Sequence, residues 1–164
     1  LLASSRMVED GGRERFYAMV APFLVGAEHP LYSVNGVFND IFVHGNVLGD
    51  AMFYGSGAGK LPTASAVVGD VVDAVKHLGK TIMTFWSEKK LELSPIDNSK
   101  KKFFVRIPKK SIGSAKMIFG EDIDVISLNE IPDECGFTTG VLSEREYENK
   151  ATRLGCVISR IRIK

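Results

Sequence analysis

The sequence predicts an α+β chain in two parts: a partial mixed α/β region, then a small βαββαβ unit. Three stretches carry that reading. Phe53 to Val68 reads as the end of a strand, a glycine turn and the start of a helix. Phe103, Val105 and Ile107 alternate with Phe104 and Arg106, the period of a strand. Ser143-Glu144-Arg145-Glu146 has the Ser-x-x-Glu spacing of a capping box, which marks a helix start.

The elements follow in order. Leu1 to Ser5 is a short apolar start, Arg6 to Arg15 is polar, and Gly11-Gly12 reads as a turn. Arg13 to Val25 reads as a strand, with Pro22 marking an edge or a bend. His29-Pro30 opens a short helix over about 30–36, since Pro suits the first helical position. Phe38 to His44 and Leu48 to Tyr54, joined at Gly45-Asn46, read as a β-hairpin. After the glycine turn, Ala64, Val67, Val68, Val71, Val72, Val75 and Leu78 form one apolar stripe at helical period, and Gly79 is placed to end the helix.

Beyond Gly79 the character changes. Residues 80–101 carry Pro95, Asp97, Asn98 and Ser99 and are expected to be a linker. Lys100-Lys101-Lys102 reads as a solvated strand entry. The last part then runs strand (from Phe103), helix (Lys109 to Phe119, stopped by Gly120), strand (Ile123 to Glu130) and strand (Cys135 to Leu142). A capped helix carrying Tyr147, Ala151 and Leu154 on one face follows, then a strand over Cys156 to Lys164 whose edge is expected to be free to pair. That order is the ferredoxin-like arrangement, an antiparallel sheet covered on one face by two helices.

Composition bounds the function. The chain has 164 residues, 45% hydrophobic and 25% charged, with a formal net charge of +1. Those are the proportions of a globular protein, without the basic excess of a nucleic-acid binder. No apolar run approaches the ~20 residues that span a bilayer, and no signal peptide is recognisable. A cytoplasmic protein is expected. Cys135 and Cys156 lie in strand-like runs outside any CxxC pair and read as reduced core thiols, with a Cys135–Cys156 disulfide as the alternative. His29, His44 and His77 lack zinc spacing.

The candidate site is Gly55-Ser56-Gly57-Ala58-Gly59. A glycine turn feeding a helix start offers free backbone N–H groups and a positive helix end to an anion or polar ligand. The same turn also serves as a plain strand-to-helix connection. It is neither the dinucleotide fingerprint nor a Walker loop.

His29-Pro30-Leu31, Val34-Asn35-Gly36-Val37-Phe38-Asn39, Met52-Phe53-Tyr54-Gly55 and Gly57-Ala58-Gly59-x-x-Pro62-Thr63-Ala64-Ser65-Ala66-Val67-Val68 stand in sequence. Over roughly 14–78 this closely resembles the C-terminal part of the catalytic region of homoserine dehydrogenases. The resemblance implies residues 1–79 as part of that region and 102–164 as an ACT-like regulatory domain. It implies an oxidoreductase that transfers hydride between NAD(P) and L-aspartate 4-semialdehyde, in the route to threonine, methionine and isoleucine. It also implies that the cofactor lies against Gly59, with Gly57 and Thr63 next.

The family's nucleotide fingerprint and catalytic lysine have no counterpart among these residues. Neither Lys60 nor Lys76 matches the lysine. No catalytic residue is therefore assigned to this chain, the missing parts are expected upstream of Leu1, and the chain alone is expected to be inactive with no cofactor bound. Asp40 and His44 depart from the family pattern. So does the loop Pro108-Lys109-Lys110-Ser111-Ile112-Gly113, where an acidic residue and Pro-Gly are usual. The implied partners are a nucleotide-binding domain, further copies of the chain in a homo-oligomer, and threonine as effector. A ligand-free dimerisation unit is the alternative.

Overall fold

A computed structural model describes residues 1–83 and 85–164. In chain order its strands and helices are β1 (Leu2–Asp10), β2 (Arg13–Ala21), β3 (Phe23–Leu24), β4 (Phe38–Gly45), β5 (Gly49–Ser56), α1 (Lys60–Lys76) and β6 (Lys100–Pro108). Then come α2 (Ile112–Phe119), β7 (Asp124–Ile126), β8 (Glu134–Thr138), β9 (Leu142–Ser143), α3 (Glu144–Leu154) and β10 (Ser159–Ile163). They fall into two compact units, one of residues 1–24 with 91–164 and one of residues 25–90.

This division differs from the linear one expected, with its linker at 80–101. The cause is β3, which pairs in parallel with β10 through Phe23–Arg162 and Leu24–Ile163 and ties the start of the chain to its end. Ser94 N also donates to Phe16 O at 2.8 Å, holding β2 to the segment before β6. Of the expected linker, Thr84 lies outside the described residues.

In the first unit the strand order is β3-β10-β6-β8-β7. β6 is antiparallel to both β10 and β8, and β7 is antiparallel to β8. The alternation of β6 decides the faces: Phe103, Val105 and Ile107 are fully buried and join Ala115, Ile123, Cys135, Phe137 and Tyr147 in one core. The ring centroids of Phe103 and Tyr147 stack 4.3 Å apart. α2 and α3 supply the other side of this core, as their spacing of Ala115, Tyr147 and Ala151 requires.

The capping box forms as expected. Ser143 Oγ accepts from Glu146 N at 3.2 Å, while Glu146 Oε2 accepts from Ser143 N at 2.7 Å. Such a cap contributes about 1 kcal/mol, and these bonds hold the Glu146 carboxyl below the usual range. Cys135 and Cys156 are both free thiols, and burial pushes the Cys135 thiol up.

The turn expected at Gly11-Gly12 forms, and Leu2–Asp10 pairs along its whole length with Arg13–Ala21 around it. One expectation fails in this unit: the edge of the last strand is not free at its end, because β3 occupies it at Arg162 and Ile163.

In the second unit the hairpin forms in the register Phe38–Ser56 to Gly45–Gly49, with residues 46–48 at its turn. The helix expected over 30–36 is shortened to a 3-10 turn over Pro30–Ser33, because Val34 is already extended. His29 caps that turn, its Nδ1 accepting from Leu31 N at 3.1 Å. α1 runs from Lys60 to Lys76 and buries no residue within the chain. Its valine stripe stands open, Val68 at 61% and Val71 at 57% exposure.

Gly69 lies within α1 with open space where a Cβ would sit. Gly69→Ala is therefore expected to stabilise the helix by about 0.5–1 kcal/mol. Circular dichroism during urea titration checks this; an unchanged or lowered midpoint would show that something covers that position.

Candidate functional site

The glycine turn is positioned by its two flanking elements. β5 ends at Ser56, paired with Phe38, and α1 begins at Lys60. Gly59 is the helix N-cap with φ 121 and ψ 155, a backbone region that side-chain-bearing residues avoid. Thr63 N donates to Gly59 O at 3.1 Å, closing the first helical turn. A Cβ on Gly57 would run into the Asn39 side chain of the neighbouring strand.

Of the residues predicted here, the structure thus joins Gly59 and Thr63 by a hydrogen bond and sets Gly57 just before them. All three are exposed. No side chain caps the helix start, and its first turn holds no acidic residue. Pro62 has no N–H, so Lys60 and Leu61 supply the amide groups that the helix itself leaves free. A bare turn at the positive helix end, with the Lys60 cation as its first helical residue, can accept a polar or anionic group approaching the backbone. The donor set therefore fits one edge of a dinucleotide, and by itself it encloses nothing.

Two further features come from the structure alone. Both Asp40 carboxylate oxygens are buried without a hydrogen-bond partner among the described residues. His44 Nδ1 and Asp50 Oδ1 meet at 2.5 Å across the hairpin, both well exposed. Neither belongs to a metal-holding group, since no cluster of three His, Cys, Asp or Glu occurs among the described residues.

The homoserine dehydrogenase family model matches residues 1–72, which include the hairpin, the glycine turn and most of α1. Over these residues the chain matches the homoserine dehydrogenase family. The match also takes in β1 and β2, which precede most of the motifs the sequence offers.

Homoserine dehydrogenase of Synechocystis sp. is 37% identical over 141 residues, covering 77% of this chain and 31% of that protein. Homoserine dehydrogenase of Mycobacterium tuberculosis is 50% identical over 72 residues, 44% of this chain and 16% of that one. The chain thus spans under a third of the curated homoserine dehydrogenases it matches. A solved homoserine dehydrogenase from Thiobacillus denitrificans shares the fold, with TM-score 0.74 and 21% identity over 98% of this chain and 41% of that one.

Sequence reasoning missed the most strongly bonded polar cluster of the first unit. Glu144 is 5% exposed. Arg162 grips its carboxylate with both arms, Nε to Oε1 at 2.6 Å and Nη2 to Oε2 at 2.8 Å. Arg160 Nη1 donates to Oε2 at 3.2 Å and its Nη2 meets Glu148 at 2.7 Å. Arg160 also lies over the Tyr147 ring, 4.7 Å from its centroid. Burial, partly offset by that guanidinium, pushes the Tyr147 hydroxyl up to about 12. The available signal was two arginines at i and i+2 on one face of the last strand.

Proposed function

We propose that the chain is part of an NAD(P)-dependent homoserine dehydrogenase that interconverts L-homoserine and L-aspartate 4-semialdehyde, on the route to threonine, methionine and isoleucine. The observation that carries this is the family match that takes in β4, β5, the glycine turn and most of α1. In this reading the backbone at Gly59, with Gly57 and Thr63, lies against the bound dinucleotide. The cofactor supplies the hydride chemistry and the protein positions it. The catalytic lysine and the nucleotide fingerprint belong to parts of the whole enzyme beyond these residues.

The exposed valine stripe supports a covered α1 in the assembled protein. Burying one Val side chain is worth roughly 1.5–3 kcal/mol, so several open valines favour a covering domain or a further copy of the chain. The C-terminal elements β6, α2, β7, β8, α3 and β10, with the two-residue β9 between β8 and α3, support an ACT-like regulatory domain. Threonine is its proposed effector, and amino-acid-free dimerisation is the second reading.

The test follows NADPH oxidation with aspartate semialdehyde. The product of the complete gene is expected to turn over and the purified chain is not. Turnover by the chain alone would overturn the division of labour, and an inactive complete product would overturn the enzyme itself. Calorimetry with threonine separates the regulatory reading from plain dimerisation.

A further inference from the structure

The cluster around Glu144 leaves cations over. Arg160 and Arg162 use up the carboxylates of Glu144 and Glu148. Lys101, Lys164 and Arg6 meet no acidic side chain among the described residues, yet three strands bring them together. β6 and β10 pair Lys102 with Ile163, so one step further the register sets Lys164 opposite Lys101. Lys164 N donates to Leu24 O at 3.0 Å, which keeps it in the sheet. Arg6 reaches in from β1, its Nη2 donating to Ser99 Oγ at 3.3 Å and to Lys100 O at 3.1 Å, beside Lys101. Like charges directly opposite on antiparallel strands destabilise the pair.

Lys101 is also not the solvated residue that its run implies. Lys100 and Lys102 are exposed while Lys101 is half-buried on the face of Phe103 and Arg162. Burial first, then the positive charges of Arg6 and Lys164, bring its ammonium down to about 8. Arg162 acts in the same direction and only Glu144 opposes it. Sheet register and the Arg6 hydrogen bonds thus hold a half-buried cation among other cations, a setting that an anion would relieve.

We propose that Arg6, Lys101 and Lys164, backed by Arg162, form a binding site for a small polyvalent oxyanion of the phosphate class. Arg6 uses Nη2 for its bonds to Ser99 Oγ and Lys100 O and keeps other N–H groups free, and each ammonium offers three donors, enough for the oxygens of one phosphate group. The site lies at the start of β6, away from the glycine turn in sequence and from the loop Pro108 to Gly113.

The test is calorimetric titration of the full chain with inorganic phosphate, and with glycerol phosphate as a phosphate monoester, against chloride at matched ionic strength. Saturable one-site binding at pH 7 is expected. It should weaken at least tenfold in Lys101→Gln and remain unchanged in Lys110→Gln. Tighter binding of the monoester points to a phosphorylated small molecule, and tighter binding of inorganic phosphate to the free ion. Affinity should fall as pH rises through 8, because Lys101 then loses its proton. No saturable heat in the native chain, equal affinity in Lys101→Gln, or constant affinity from pH 7 to 9.5 would each overturn the site. Should Lys101→Gln unfold, Lys164→Gln at the last residue decides, and native affinity there overturns the site as well.

Discussion

Replacing Glu144 with alanine is expected to destabilise the first unit by about 3 kcal/mol. Its carboxylate is the acceptor for Arg162 through two bonds and for Arg160 through one. Removing it leaves the Arg162 guanidinium with no counter-charge and Arg160 with Glu148 alone. A buried pair broken on one side costs more than the pair itself contributes, because the remaining charge stays desolvated. The cost stays near the lower end of the roughly 3–5 kcal/mol typical of a broken buried pair, since the side chains of Arg160 and Arg162 are 28% and 18% exposed and recover some hydration.

Glu144→Gln should cost less, because the amide oxygen still accepts. Combining Glu144→Met with Arg162→Met should recover much of the loss, since no unpaired charge then remains at that pair. Urea unfolding followed through Tyr147 in the core measures all three. A cost under about 1 kcal/mol for the alanine variant would mean that water already reaches the cluster.

Local chemistry was legible in the sequence and long-range chemistry was not. The Ser143–Glu146 box, the β4–β5 hairpin and the alternation of Phe103, Val105 and Ile107 are set by neighbours a few residues apart. Each formed close to where the sequence placed it. β1 was missed because most of its residues are exposed, which erases the period-2 signal. The two residues of β3 add to a strand at the far end of the chain, a pairing that no local pattern encodes.

The last strand misleads in a different way. Hydropathy would turn Ile161 and Ile163 inward, yet register sets Arg160 opposite Val105 and Arg162 opposite Phe103, on the face that meets Glu144. Within the candidate site, the turn's position and its bare helix start could be read in advance. What could not be read was the packing of Asn39 against Gly57, which depends on the register of the hairpin.

Gly59→Ala in the full-length protein is expected to lower its proposed dehydrogenase activity about 10²-fold, because small displacements of positioning elements have effects of that size. Space is not the obstacle, since an added Cβ would meet the Pro62 ring at an ordinary 3.4 Å. The backbone is the obstacle. At φ 121 and ψ 155 an alanine carries a strain of about 1–3 kcal/mol. Relaxing that strain rotates the peptide planes on either side of residue 59, and with them the amide groups at the helix start.

Gly57→Ala should do less harm, because the atoms its Cβ would overlap are at the end of the Asn39 side chain, which can swing aside, while Asn39 Cβ at 3.2 Å need give only slightly. Gly69→Ala, on the same helix, should leave activity untouched. Steady-state kinetics with varied NAD(P) separates the cases: the loss at Gly59 should appear in KM for the cofactor as well as in kcat. Native kinetics in Gly59→Ala would reduce the turn to a connection between β5 and α1 and remove it from the cofactor site.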